Sequence, residues 1–351
     1  MQSPIPPLAP PAPRVGVIVP AYGVAHLLGE ALESLLAQTM PDWECVVIDD
    51  GAPDDVAGAV APYLHDPRIR FMQTDNRGVG CARNRAIGAC TAPLLTLLDA
   101  DDMLCPRYFE AILPPLEQRP ALRLATPNAR IFGAVAQERF CVSAKQGTGD
   151  GVHGSLSDVL DRTFNVYIGS TFRRADWQAV GGFDETMTHC EDFDFWVRLM
   201  QLGGDALYID EVLGEYRVRP GSASGASAKM IRGNLYVYRK AAAALAGQPD
   251  GPVAEAMIAV TEAELAFEQA MIQVAEGDTA AGLPALRATK GNVSGPVWAV
   301  AFALWRLAPA LAPPMIRWRR RNHARGGGDR LVPPIHQRRP ARAVGATGSA
   351  A

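Results

Sequence analysis

The stretch Ala92-Pro93-Leu94-Leu95-Thr96-Leu97-Leu98-Asp99-Ala100-Asp101-Asp102 is a short, almost wholly apolar run that ends in a knot of carboxylates. Its length, its composition and the proline near its start predict a buried strand from Ala92 to Leu98. Residues two apart in an extended chain point the same way, so Asp99 and Asp101 present their carboxylates on one side of the strand end. Open α/β sheets place their ligands there. No Lys or Arg lies closer in sequence than Arg107, and carboxylates forced together raise one another's pKa unless a cation intervenes. A divalent metal meets that demand. Mg2+ takes one or two carboxylates and completes its shell with water and substrate phosphates, which points to a phosphorylated substrate. The plain alternative is a solvated acidic turn capping a helix that begins near Pro106, since Asp is a good N-cap.

Working outward from this strand, strand and helix patterns alternate from Arg14 at the spacing of β-α-β units. Val15–Val19 reads as a buried strand, and Ala25–Ala37 places Leu27, Leu28, Ala31, Leu32, Leu35 and Leu36 at helical spacing. Glu44–Ile48 predicts a second strand, closed by the turn Asp49-Asp50-Gly51. Ile69–Gln73 predicts a third and Gly80–Ala89 a helix. Such a series builds an α/β fold, a parallel sheet with covering helices. Beyond Asp102, strands are expected at Leu122–Ala125 and Val166–Phe172. A second acidic cluster, Glu191-Asp192-Phe193-Asp194, opens a helix, where acids suit the dipole of the first turn. Gly221–Ser227 reads as a small-residue loop, followed by amphipathic helices at Met230–Ala246 and Val253–Val274.

The six cysteines form no CxxC pair, so neither a zinc site nor a disulfide framework is indicated, and cytoplasmic residence is expected. Met1–Pro13 is rich in Pro and Ala and lacks a basic flank, which argues against a signal peptide. Charge is distributed unevenly. From Arg306 to Ala351 there are ten arginines and one acid, whereas the rest of the chain carries 24 basic and 36 acidic side chains. Pro296–Ile316 is apolar but interrupted by Arg306 and prolines, so residues 296–325 suggest a peripheral anchor on the inner face of the membrane rather than a span. In that reading Trp298, Trp305 and Trp318 sit at headgroup level and the arginines meet anionic lipid. The alternative is a packed helix with a basic tail. The expected organisation is an N-terminal segment 1–13, a domain 14–228 with halves 14–102 and 103–228, a helical extension 229–316 and a disordered tail 317–351. No nucleic-acid partner is expected.

Five blocks stand in order between Arg14 and Arg219: Val17-Ile18-Val19-Pro20-Ala21-Tyr22; Val46-Val47-Ile48-Asp49-Asp50-Gly51; Asn76-Arg77-Gly78 with Ala82-Arg83-Asn84; Asp99-Ala100-Asp101-Asp102; and Gly181-Gly182-Phe183-Asp184-Glu185 with Glu191-Asp192. Together they resemble family 2 glycosyltransferases of the GT-A fold. The resemblance implies a Rossmann-like, mostly parallel sheet flanked by helices, with a C-terminal α-helical extension. It also implies metal-dependent, inverting transfer of a sugar from a nucleotide-diphospho-sugar, UDP-linked, to a hydroxyl of a cell-surface glycan or its lipid-linked precursor.

Carried over residue by residue, the resemblance puts Pro20, Ala21 and Tyr22 on the base and ribose of the donor and gives Asp49 or Asp50 the N3–H of uracil. Arg83 faces the nucleotide or its phosphates. Asp99, with Ala100 beside it, approaches the ribose and the metal, and Asp101 is the direct ligand of Mg2+ or Mn2+. Asp192 is the base, with Glu191 as the nearby alternative. Tyr216, Arg217, Arg219 and Ser222–Ser224 correspond to a lid, Arg219 standing near the diphosphate where many members carry His. Gly23 and Ala52 depart from the usual Asn and Ser. Each position keeps a bland alternative: an Asp-Gly turn for Asp50, a surface ion pair for Arg83, helix capping for Glu191 and Asp192. A dinucleotide oxidoreductase is disfavoured because no GxGxxG follows the first strand. A catalytically silent sugar-nucleotide-binding or scaffold protein is the alternative function.

Overall fold

The computed structural model describes residues 12–135, 137–141, 152–219, 227–289 and 296–324. Sequence expectations for 1–11, the loop 221–226, its lid serines and the tail beyond 324 fall outside these. The strands are β1 Val15–Ala21, β2 Trp43–Asp50, β3 Ile69–Thr74, β4 Leu94–Leu97, β5 Met103–Leu104, β6 Leu122–Gly133, β7 Arg139–Phe140, β8 Val152–Gly154, β9 Thr171–Arg173 and β10 Asp205–Val218. The helices are α1 Ala25–Leu36, α2 Val56–Val60, α3 Val79–Ala89, α4 Tyr108–Gln118, α5 Leu156–Leu160, α6 Arg174–Ala179, α7 Glu191–Met200, α8 Ser227–Ala244, α9 Gly251–Glu276, α10 Thr279–Ala288, α11 Pro296–Leu307 and α12 Ala312–Ala324. They fall into two units. One comprises the chain up to Ala134 with Glu138–Leu156 and Asn165–Arg219; the other comprises Val135–Gln137, Ser157–Phe164 and the chain from Pro220.

The first unit holds one sheet in the order β3-β2-β1-β4-β9-β6-β10-β5. Its first four strands are parallel, as the β-α-β spacing predicts. Every residue of β2 is buried, which is what a strand covered on both faces requires. Val15, Val17 and Val19 of β1 and Trp43, Cys45 and Val47 of β2 share a core with Leu28, Leu32 and Leu35 of α1 and Phe109, Ile112 and Leu116 of α4. Beyond β4 the sheet becomes mixed, because β9 enters antiparallel between β4 and β6 while β6 and β10 run parallel to each other.

Side chains distant in sequence set the strand ends. Glu44 in β2 accepts the N–H groups of Thr91 (2.5 Å) and Ala92 (2.7 Å) and pairs with Arg70, fixing the turn into β4. Asp54 accepts from Gly23 N (3.0 Å) and Ala25 N (2.6 Å), closing the loop between β1 and α1.

Two expectations are corrected. The strand expected over Val166–Phe172 is only Thr171–Arg173. The reason is local: Tyr167 N donates to Thr126 Oγ1 and Gly169 O accepts from the Tyr108 hydroxyl, so this backbone is satisfied without a ladder. The turn expected at Asp49-Asp50-Gly51 begins only at Gly51, since both aspartates complete β2.

In the second unit, α11 and α12 pack on α9 and α10 through Trp298, Ala301, Trp305, Ala312 and Ile316 against Phe267, Met271, Val274, Leu283 and Leu286. The apolar stretch Pro296–Ile316 is therefore two helices joined by a single turn at Pro309–Leu311. Trp298 and Trp305, expected at headgroup level, are 5% and 3% exposed, and only Trp318, at 64%, faces outward. Among the described residues no helix is long and apolar enough to cross a membrane.

Candidate active site

The carboxyl ends of β1, β2 and β4 lie side by side, with Ala21 registered on Asp49 and Ile18 on Leu97. This gathers three of the sequence blocks at one sheet edge. Tyr22 leaves β1 with half its surface exposed, while Pro20 is half-buried and Ala21 buried. Asp49 accepts from Ala52 N (2.7 Å) and Gln73 Nε2 (3.0 Å). Asp50 accepts from Arg77 N and Gly78 N, both at 3.0 Å, and so fixes the loop that starts α3. Each of these oxygens keeps a second lone pair for a ligand.

Arg83, in the second turn of α3, is only 3% exposed, so its alternative as a surface ion pair fails. Its Nη2 donates to Asp99 Oδ1 at 2.9 Å and its Nη1 to Glu191 Oε1 at 2.7 Å. One guanidinium thus joins the end of β4 to the start of α7. Burial works against its charge, but Asp99, Glu191 and Asp192 offset this and hold its pKa above that of an ordinary arginine. Burial also pushes the Glu191 carboxyl up, and Asp192 adds to this against the pull of Arg83.

The cations missing from the local sequence of the acidic knot arrive from elsewhere in the chain. Besides Arg83 on Asp99, Arg219 Nε donates to Asp101 Oδ2 at 2.5 Å. Arg217 Nε donates to Asp101 O (2.9 Å) and Arg217 N to Asp102 Oδ1 (2.8 Å). Asp102 is therefore a buried anchor for the end of β10; the cap it was offered for is absent, since α4 begins after Arg107 with no side-chain cap. Burial, then the charge of Asp99, raises the pKa of Asp102 well above the carboxylate range, and the same two causes raise that of Asp101.

Glu191 and Asp192 both lie in the first turn of α7, where acids suit the helix dipole, but neither is its N-cap. The N-cap of α7 is Cys190, which makes no side-chain capping bond and has a left-handed φ of 63°. A non-glycine residue held there is strained, and the strain lies directly before Glu191. The half-buried Asp192 accepts from Phe193 N at 2.8 Å.

A residue to which sequence reading gave no role organises the approach to α7. Asn84 Oδ1 accepts from Phe183 N (2.8 Å) and Trp177 Nε1 (3.1 Å), and its Nδ2 donates to Phe183 O (2.9 Å) and Glu185 Oε1 (3.0 Å). Its place next to Arg83 was the available signal. The glycines beneath it are needed: Gly181 and Gly182 both have φ of +78°, and a Cβ on Gly182 would lie 2.7 Å from Asn84 Oδ1. Gly182→Ala is therefore expected to cost about 1–3 kcal/mol and to lower the melting temperature, and an unchanged melting curve would contradict this reading of the loop.

The donor set suits a hard divalent ion. Asp99 and Asp101 bring carboxylate oxygens together at the strand end, and Arg83 and Arg219 engage only one oxygen of each. Among the described residues no group of three His, Cys, Asp or Glu is placed to hold a metal.

A family model for glycosyl transferase family 2 matches residues 16–137, and one for glycosyl transferase family group 2 matches residues 94–232. Chondroitin synthase of Escherichia coli is 29% identical over 195 residues, 54% of this chain and 27% of that protein. The putative teichuronic acid biosynthesis glycosyltransferase TuaG of Bacillus subtilis is 26% identical over 234 residues, 65% of this chain and 88% of its own length. The chain spans less than a third of the chondroitin synthase it matches. Among solved structures, S. aureus TarS 1-349 in complex with UDP-GlcNAc superposes with a TM-score of 0.57 at 18% identity, covering 72% of this chain and 70% of that one. The mannosyltransferase PcManGT from Pyrobaculum calidifontis, in complex with GDP-Man and Mn2+, gives 0.57 at 19% identity over 90% and 86%. These likenesses are of fold, and the fold is of the GT-A type.

Proposed function

The chain belongs to the family 2 glycosyltransferases, and from that premise we propose that it moves a sugar from a nucleotide-diphospho-sugar to an acceptor hydroxyl with inversion. The observation that carries this reading is the Arg83 bridge. It brings the strand-end carboxylates and the α7 carboxylates, far apart in sequence, within the span of one guanidinium. Transfer needs both groups at one place, because the leaving diphosphate and the attacking hydroxyl sit on opposite faces of the same carbon.

In this reading Pro20, Ala21 and Tyr22 receive the base and ribose, Tyr22 offering an exposed ring for stacking, and Asp49 or Asp50 accepts from the base. Asp99 and Asp101 hold Mg2+ or Mn2+. When bound, the ion neutralises charge on the departing diphosphate. Arg219, already on Asp101, adds a fixed cation beside the same group. Asp192 takes the proton of the acceptor hydroxyl. Glu191 is committed to Arg83, which leaves Asp192 as the better-placed base. The acceptor is a glycan or a lipid-linked precursor, a reading that the likeness to a chondroitin synthase and to a putative teichuronic acid biosynthesis glycosyltransferase favours.

Melting the chain with a panel of nucleotide sugars, with and without Mn2+, tests this. A donor at 100 times its dissociation constant is expected to add about 2.7 kcal/mol, with UDP-sugars and Mn2+ together giving the largest shift. No response to any nucleotide would refute the proposal.

A further inference from the structure

Helix α11 is apolar on both sides, and residues 312–316 of α12 continue its apolar character up to the arginines that begin at Arg317. Their inner face carries Trp298, Ala301, Trp305, Ala312 and Ile316 into the core of the second unit. Their outer face carries Val297, Val300, Leu304, Leu307, Leu311, Met315 and Trp318, all exposed, Leu307 to 84%. Val297, Val300, Leu304 and Leu307 follow helical spacing along one stripe of α11, and Leu311, Met315 and Trp318 continue the exposed apolar series through the turn at Pro309–Leu311 and into α12. A cluster of exposed apolar side chains of this kind is unusual on a free surface and marks a docking face. On the exposed side the charged residues between Val297 and Trp318 are Arg306 and Arg317. Acidic residues are absent from the sequence between Asp278 and Asp329, while the overall charge of the chain is −3.

From this combination we propose that the stripe is a peripheral membrane-docking face, lying along the headgroup boundary of an anionic bilayer. The length supports lying over crossing: α11 has 12 residues, about 18 Å of helix, against a hydrocarbon core of about 30 Å. Charge selects the occupant. A second copy packing by two-fold symmetry would set the same patch against itself and bring the arginines of both copies together. An anionic lipid surface instead receives the apolar stripe between its acyl chains and the arginines at its phosphates. Trp318, at the polar end of the stripe, is the kind of residue that settles at that boundary.

Co-flotation of the full chain tests the proposal, using vesicles of phosphatidylcholine with about 30% phosphatidylglycerol and vesicles of phosphatidylcholine alone. The wild type is expected to float with the anionic vesicles. Leu307→Glu is expected to lower the bound fraction about tenfold without moving the melting temperature, and Trp318→Ser, which adds no charge, to lower it as well. Absence of wild-type flotation would overturn the proposal, as would equal flotation of both variants. If sedimentation without lipid shows a wild-type dimer that Leu307→Glu splits, and no vesicle binding is seen, the occupant is a second copy and the lipid assignment fails.

Discussion

Replacing Asp192 by Asn is expected to lower turnover by about 10²- to 10⁴-fold, the usual worth of a positioned general base, while leaving the fold intact. Asn retains the Oδ1 that accepts from Phe193 N but cannot accept the acceptor's proton. The side chain is half-buried at the start of α7, so the change in stability should stay within about 0.5 kcal/mol. Binding of the nucleotide is expected to be unchanged. Release of nucleoside diphosphate from the donor, followed beside a melting curve, separates the two effects. A fully active Asp192→Asn, with an inactive but folded Glu191→Gln, would move the base to Glu191.

The largest effect on stability is expected from Arg83→Met. Removing the guanidinium leaves Glu191 and Asp99 without their buried counter-charge, and breaking a buried pair from one side costs about 3–5 kcal/mol. Arg83→Lys keeps the charge but loses the fork that spans both carboxylates, so an intermediate loss is expected. The pH dependence has a definite sign. Glu191 titrates above its ordinary range in the folded chain because of burial, so its ionisation on raising the pH through that folded value destabilises the fold. Arg83 opposes this in the wild type. Without it the difference between wild type and Arg83→Met is expected to widen as pH rises from the ordinary carboxylate range towards neutrality, and to narrow on acidification. Thermal melts at several pH values measure this, and a constant difference would contradict it.

The half spanning residues 14–102 was legible because its signals are local. Apolar runs such as Val15–Val19 and the 3.6-residue period of α1 carry their own structure, and both appear where they were expected. The acidic knot was legible as a carboxylate cluster at a strand end but not in its partners. Its cations come from 16 residues before it and from 116 and 118 residues after, a separation that no local pattern encodes. The same applies to Asp50, which reads as part of a turn yet fixes the Arg77-Gly78 loop from β2. In α11 the limit is different. A helix apolar all round does not reveal which stripe packs inward, and Trp298 and Trp305 took the core side while Val297, Val300 and Leu307 did not.

The central claim is that the carboxylates ending β4 hold a divalent cation that receives a nucleotide diphosphate. Titration calorimetry of UDP into the full chain, with Mn2+ and then with EDTA, tests it in wild type and in Asp101→Ala. The account predicts that EDTA abolishes the heat of binding and that Asp101→Ala weakens affinity about tenfold or more. UDP binding indifferent both to EDTA and to the loss of Asp101 would contradict it.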